Sequence, residues 1–285
     1  MIFGISIITT NGFPFYNKGY VIEPKDITLK LLFFDYSKKL IQLSQDTEFD
    51  LIAGLTSAIF NFSNSQNRKI GELIYQRPEF KIENLLDGQM EKIPEEGTLI
   101  TIRTESYCIK SAVRRKLDFI YNKIIKPLEP LSNKTPIAPS EERLIQDVLL
   151  NMPSKKLIRS HSKDLEKYIK EFIKEHAAYG IKAVAIMTED LTVLKTVNIT
   201  MDDFQSLLRS ISLIPEVDPL TWKFRQGWAS EEEQYILTFI NSAYIVVNDS
   251  LKEPLYYCIV CESGAVLGDH PPRELFMALN DILDR

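Results

Sequence analysis

The chain has 285 residues, 45% of them hydrophobic and 26% charged, with a formal net charge of −5. That balance belongs to a folded protein with room for two domains of ordinary size, and the negative charge removes the electrostatic case for nucleic acid as a partner. No apolar run approaches the roughly 20 residues of an integral membrane span, and three cysteines make no disulfide framework, so a cytoplasmic setting is expected.

Residues 1–8 (MIFGISII) are apolar but lack the basic start and cleavage site of a signal peptide, so they read as a first strand. Asn11-Gly12 is a pair favoured in two-residue hairpin turns. Residues 13–21 return as a second strand, with Pro14 marking an edge or an irregular start. Residues 22–45 contain the apolar run 29–36, whose period is ambiguous, and helix or loop is expected there. Thr47 or Asp50 then caps a helix reaching Ser63, with Ile52, Leu55, Ile59 and Phe62 on one face and small residues such as Gly54 and Ala58 for close approach to a sheet. Strands are expected at 70–75 and 98–104, either side of an acidic, turn-rich stretch at 84–97. Ile109, Val113, Leu117, Ile120 and Ile124 define a long helix ending before Pro127, and Arg114, Arg115 and Lys116 read as its exposed face.

Prolines 127, 130, 136 and 139 mark a domain boundary. Ser140 caps a short bridging helix with Leu144, Val148 and Leu149. Lys155, Lys156, Arg159, His161 and Lys163 then form a basic connector, most simply a solvated linker. It also offers peripheral association with an anionic membrane surface or an acidic partner.

Beyond it, Ser162 caps a helix with Asp164 and Glu166 in its first turn and Leu165, Ile169, Phe172 and Ile173 inward. Gly180 closes it. Residues 181–187 (IKAVAIM) and 191–199 read as two strands about a turn at 188–190. Thr200 and Asp203 make a cap pattern for a helix carrying Phe204, Leu207, Leu208 and Ile211. After a loop holding Pro215 and Pro219 come the only tryptophans, Trp222 and Trp228. Residues 234–240 and 243–248 read as a hairpin about Asn241-Ser242, and 255–261 as a further strand. Pro271-Pro272 start a last helix with Leu275, Phe276, Leu279, Ile282 and Leu283 inward.

The fold class expected is therefore α/β (α+β), with two domains that each pack helices on an antiparallel sheet. The order α-β-β-α-β-β-β-α from about residue 162 to the end resembles the roadblock domain. The opening strand–NG turn–strand, the helix containing DLIAGLTSAIFNFS and the strands and helix after it resemble the longin domain, over about residues 1–126. The expected division is 1–126 longin-like, 127–161 a Pro-rich linker with its bridging helix, and 162–285 roadblock-like. Such domains, paired in small-GTPase regulators of archaeal type, imply a non-catalytic regulator or scaffold in trafficking. It would bind a small Ras-like GTPase, other longin or roadblock domains, or itself as a homodimer. The resemblance also implies an interface made by the helix at 201–214 with a neighbouring sheet edge. The candidate interface residues are Leu207, Ser210, Leu213, Ile214, Tyr235, Leu237 and Phe239, the last three on an uncovered strand.

Catalytic and cofactor motifs are not found in the sequence. There is no phosphate-cradling GxxxxGK[ST] and no GxGxxG, and the 11 glycines are not clustered. Cys258 and Cys261 lack the second pair of a zinc ribbon and fall on a strand, where residues three apart face opposite sides. His161, His176 and His270 have no nucleophile context. No catalytic, cofactor-binding or metal residue is assigned, and the chain is expected not to be an enzyme. The alternative reading is a small-molecule sensor of PAS-like or GAF-like class, with Trp222, Trp228 and Tyr235 lining its pocket.

Overall fold

A computed structural model describes residues 1–9, 14–24, 27–36, 69–76, 97–132, 136–211, 213–231 and 233–285. The architecture is mixed α/β, with two five-stranded sheets and six helices among the described residues. The chain divides into two compact units: residues 2–106 with 121–137, and residues 107–120 with 138–285 and Met1. The larger unit therefore takes in part of the stretch 1–126, through 107–120, and most of the expected linker at 127–161.

The N-terminal unit is built on β1 (Ile2–Thr9), β2 (Pro14–Gly19), β3 (Thr28–Asp35), β4 (Lys69–Gln76) and β5 (Thr98–Glu105), in the order β2-β1-β5-β3-β4. Strands β1, β2, β5 and β3 pair antiparallel, but β4 runs parallel to β3, so this sheet is mixed and not the antiparallel one expected. A parallel neighbour needs a long crossover, and the stretch between Asp35 and Lys69 has that length. The run at 29–36, expected as helix or loop, is mostly strand β3. It is paired on both edges, with β5 and β4, and buries Leu29 and Leu31 on one face and Leu32 and Phe34 on the other, so its LKLLFF core loses the alternation that marks a half-exposed strand. The Asn11-Gly12 turn, the helix expected up to Ser63 and nearly all of the acidic stretch lie outside the described residues.

The helix expected from Ile109 is α1 (Lys110–Ile120), which belongs to the larger unit. It passes into a π-helical turn (Tyr121–Ile125) and one helical turn (Lys126–Leu128). In the N-terminal unit Glu129 accepts hydrogen bonds from Thr98 Oγ1 at 2.9 Å and from the Tyr121 hydroxyl at 3.1 Å.

The larger unit continues with α2 (Pro139–Leu149), α3 (Met152–Ser160) and α4 (Ser162–Glu175). Pro153 stands in the first turn of α3, where a proline needs no N–H partner. The basic connector is thus largely helical, with Ile158 buried, and His161 occupies the cap position expected for Ser162. There follow β6 (Ile181–Thr188), β7 (Val193–Val197), α5 (Met201–Ser210), β8 (Trp222–Trp228), β9 (Gln234–Asn248), β10 (Leu251–Glu262) and α6 (His270–Leu283). The sheet order is β7-β6-β10-β9-β8, antiparallel throughout. Helices α4 and α6 cover one face through Leu165, Phe172, Leu275 and Leu279. Helix α5, with Tyr107, Ile109 and Ala112, covers the other through Phe204, Leu207 and Leu208.

The order of elements in this unit matches the expected one, but the strands differ. Residues 234–248 form one long strand, and the hairpin expected at Asn241-Ser242 is a local distortion within it. Asn241 Oδ1 accepts the Ala243 N–H at 3.1 Å and Ser242 Oγ accepts that of Tyr244 at 3.2 Å, while Ala243 takes φ 56°. These side chains supply main-chain partners locally, so the strand bends without reversing. The reversal comes between β9 and β10, where Asp249 has φ 56°. No helix among the described residues is long and apolar enough to cross a membrane.

Candidate interaction surface

Among the described residues, strand β8 is the last strand of its sheet and pairs with β9 alone. Its sequence, WKFRQGW, puts Trp222, Phe224, Gln226 and Trp228 on one face and Lys223, Arg225 and Gly227 on the other. Gly227 has a packing reason. A Cβ there would lie 2.9 Å from Leu237 Cδ1 and 3.3 Å from both the Leu207 carbonyl and Ser210 Oγ, so glycine lets the end of α5 rest on the strand. Ser210 then joins the two elements, donating to the Leu207 carbonyl at 2.6 Å and accepting the Trp228 N–H at 2.7 Å.

The antiparallel ladder alternates between groups that meet β9 and groups that face away. Trp228's N–H is turned outward to Ser210, so Gln226, Phe224 and Trp222 share that direction. Arg225 covers part of this edge, its guanidinium donating to the Phe224 carbonyl at 2.8 Å and the Leu213 carbonyl at 3.2 Å. Lys223 donates to the Glu216 carbonyl at 2.7 Å. Around the edge, large apolar side chains stand in solvent: Leu213 is 70% exposed, Phe224 66%, Leu220 55% and Trp228 46%. A groove of about 300 Å³ runs beside them, between Trp222, Phe224, Ile236 and the 265–269 loop, where Val266 is exposed.

The candidate residues are redistributed by this geometry. Tyr235, Leu237 and Phe239 lie on β9, which is internal between β10 and β8 and is not the uncovered edge expected; Leu237 and Phe239 are fully buried under α5. Leu207 and Ile214 are also buried in that core. Ser210 is tied to β8, and Leu213 alone of the seven projects freely. Trp222 lines the groove, whereas Trp228 and Tyr235 do not. The edge strand itself was legible as Trp222, Phe224 and Trp228 in alternation, a period-two signal interrupted at Gln226.

A second cluster is buried. Lys116 of α1 is wholly inaccessible, and its Nζ lies 2.6 Å from Asp190 Oδ2 and 3.2 Å from Glu253 Oε1, while it also donates to Asn151 Oδ1. Asn151 has φ 55° at the α2–α3 junction. Asp190 in turn accepts from Thr188 Oγ1 and the Thr192 N–H. Burial alone would raise the Asp190 carboxyl, but the Lys116 ammonium outweighs it and holds the group well below the usual carboxylate range. Burial would likewise lower Lys116, and the two carboxylates outweigh it, keeping the amine above its ordinary value. Burial pushes Glu253 up, against Lys116. Lys116 thus bonds two carboxylates, and the Asp190 charge is also felt by Lys155. Lys116 is therefore not part of the exposed face expected for Arg114–Lys116; Arg115, with its guanidinium on Glu189, remains half in solvent.

The thiols of Cys258 and Cys261 lie in opposite cores, as the strand period requires. Burial pushes Cys258 well up and Cys261 to about 12, so both stay protonated and inert. His161 Nδ1 sits 3.0 Å from the Leu157 carbonyl, while His176 and His270 both meet Glu274. No protein-family model matches this sequence, and no curated protein is detectably similar to it.

Proposed function

We propose that the larger unit is a pairing module that joins a second copy of the chain through β8, and that the paired sheets serve as a non-catalytic platform for a small Ras-like GTPase. The observation that carries this reading is the β8 edge. It is a terminal strand with outward main-chain groups, bordered by exposed Leu213, Leu220, Phe224 and Trp228. Such edges are usually blunted by charge or proline in monomeric proteins. Here the charged Lys223 and Arg225 are folded back onto neighbouring carbonyls. Antiparallel addition of β8 to its symmetry mate is an isologous contact, with the same patch on both copies, and closes as a two-fold dimer. It would pair the outward groups that Ser210 and Arg225 leave open and cover Phe224 and Trp228. The GTPase as partner rests on the resemblance of element order to roadblock and longin domains. The sheet order β7-β6-β10-β9-β8, with helices on both faces, supports a scaffold built on this unit.

The test is size-exclusion chromatography with light scattering on the chain mixed with a source-matched small GTPase, loaded with GDP or with a GTP analogue. A complex in at least one nucleotide state, weakened by Phe224→Glu, is expected. No complex in either state would overturn the GTPase assignment.

A further inference from the structure

We propose that His176, His270 and Glu274 form a binding site for a divalent transition-metal ion of the zinc class. They are the one group of metal-ligand type that converges among the described residues. His176 Nε2 lies 3.0 Å from Glu274 Oε2, and His270 Nδ1 lies 3.4 Å from the same oxygen. All three donor atoms fall within 4.8 Å of one another. Tetrahedral zinc, with bonds of about 2.0–2.1 Å, places its ligands about 3.4 Å apart. Two edges of the ligand triangle are therefore already near that length. The third, between the imidazoles, closes by rotation of His270, whose side chain is exposed.

The backbone presents these side chains from two fixed elements. His270 and Glu274 are four residues apart in the first turns of α6, so they share a face, and Pro271-Pro272 hold the start of that helix. His176 caps the end of α4, its ring 4.6 Å from that of Phe172 and 5.7 Å from that of Tyr179. The C-terminal end of a helix also favours a cation. The carboxylate has its own support, since the Tyr168 hydroxyl donates to Glu274 Oε1 at 3.4 Å and leaves Oε2 toward the histidines. An outer partner of this kind orients a metal-binding carboxylate.

Two imidazoles and a carboxylate, without sulfur, suit zinc with three protein ligands and a fourth position for water or a partner's side chain. The ion would link the end of α4 to the start of α6, the two helices that cover one face of the sheet. Two of the three histidines in the chain meet here although 93 residues of sequence lie between them.

The experiment uses the untagged full chain, stripped over a chelating resin and titrated with zinc chloride by calorimetry and by thermal melting. One zinc per chain and a raised melting temperature are expected. His270→Ala and Glu274→Gln should each weaken binding by about tenfold or more, of the order seen when the shells of a metal site are altered, and remove the thermal shift. His161→Ala, outside the cluster, should keep both. Cobalt(II) should give the visible absorption of a four-coordinate ion, lost in His270→Ala. Because His270 is exposed, its variant should fold normally, and unchanged circular dichroism would verify this. No zinc binding, or binding that ignores His270→Ala and Glu274→Gln, would overturn the assignment.

Discussion

The ammonium of Lys116 lies 2.6 Å from the carboxylate of Asp190, and both side chains are wholly buried. Desolvation makes such a pair costly to form and more costly to break by halves, because the group left behind is an uncompensated buried charge. Lys116→Met should therefore lower stability in urea by about 3–5 kcal/mol. Adding Asp190→Asn and Glu253→Gln to it should recover a large part of the loss. Recovery of nothing would show that Lys116 acts through packing and not through its charge.

The same cluster sets a dependence on pH whose two limbs have opposite signs. Glu253 is held above its ordinary value, so the folded protein takes up a proton there before the unfolded chain does, and stability is gained as pH falls through the folded pKa. Asp190 is held well below its ordinary value. Its contribution is fully present above the unfolded pKa, near 3.9, and is lost as pH falls below about 4 toward the folded value. Urea midpoints between neutral pH and about pH 3 should show Glu253→Gln flattening the upper limb while the acid loss persists. Identical profiles in the two proteins would contradict this.

Thr200 accepts the N–H of Asp203 at 3.1 Å and so caps α5. Thr200→Ala should cost about 1 kcal/mol, read as a lowered urea midpoint, and Thr200→Ser should restore most of it.

Gly227 allows α5 to rest on β8. Gly227→Ala should cost about 1–3 kcal/mol, as overpacking does, because the added Cβ meets the Leu207 carbonyl and Ser210 as well as the mobile end of Leu237. Hydrogen exchange should show the loosening at residues 207–210 and 227–228. A variant as stable as the parent would show that the helix moves without cost.

Much of the larger unit was legible in the sequence because its signals are local. The helical spacing of Leu165, Ile169 and Phe172 and the Thr200 cap stand as read, whereas the glycine at 180, with φ 73°, closes a 3-10 turn (Ala177–Tyr179) that follows α4, whose own cap is His176. What was not legible depends on distant partners. Lys116 lies three residues after Val113 and four before Ile120, inside the apolar stripe of α1, and only Asp190 and Glu253 explain why a lysine belongs there. Strand β9 runs through Asn241 and Ser242 because their side chains take over main-chain hydrogen bonds, so a turn-like pair did not turn the chain. That misreading displaced the edge from β8 to Tyr235–Phe239 and put Leu237 and Phe239 at an interface when they are core. β3 was missed because a strand covered on both faces loses its alternation.

Whether β8 pairs two copies is decided by the solution mass of the chain from light scattering over a range of concentrations. Pairing through β8 gives a mass approaching twice 32.8 kDa, and a return to one chain mass in Phe224→Glu, whose folded stability should stay within about 0.5 kcal/mol of the parent as for other exposed positions. A parent protein of one chain mass at every concentration, or a dimer untouched by Phe224→Glu, would contradict it.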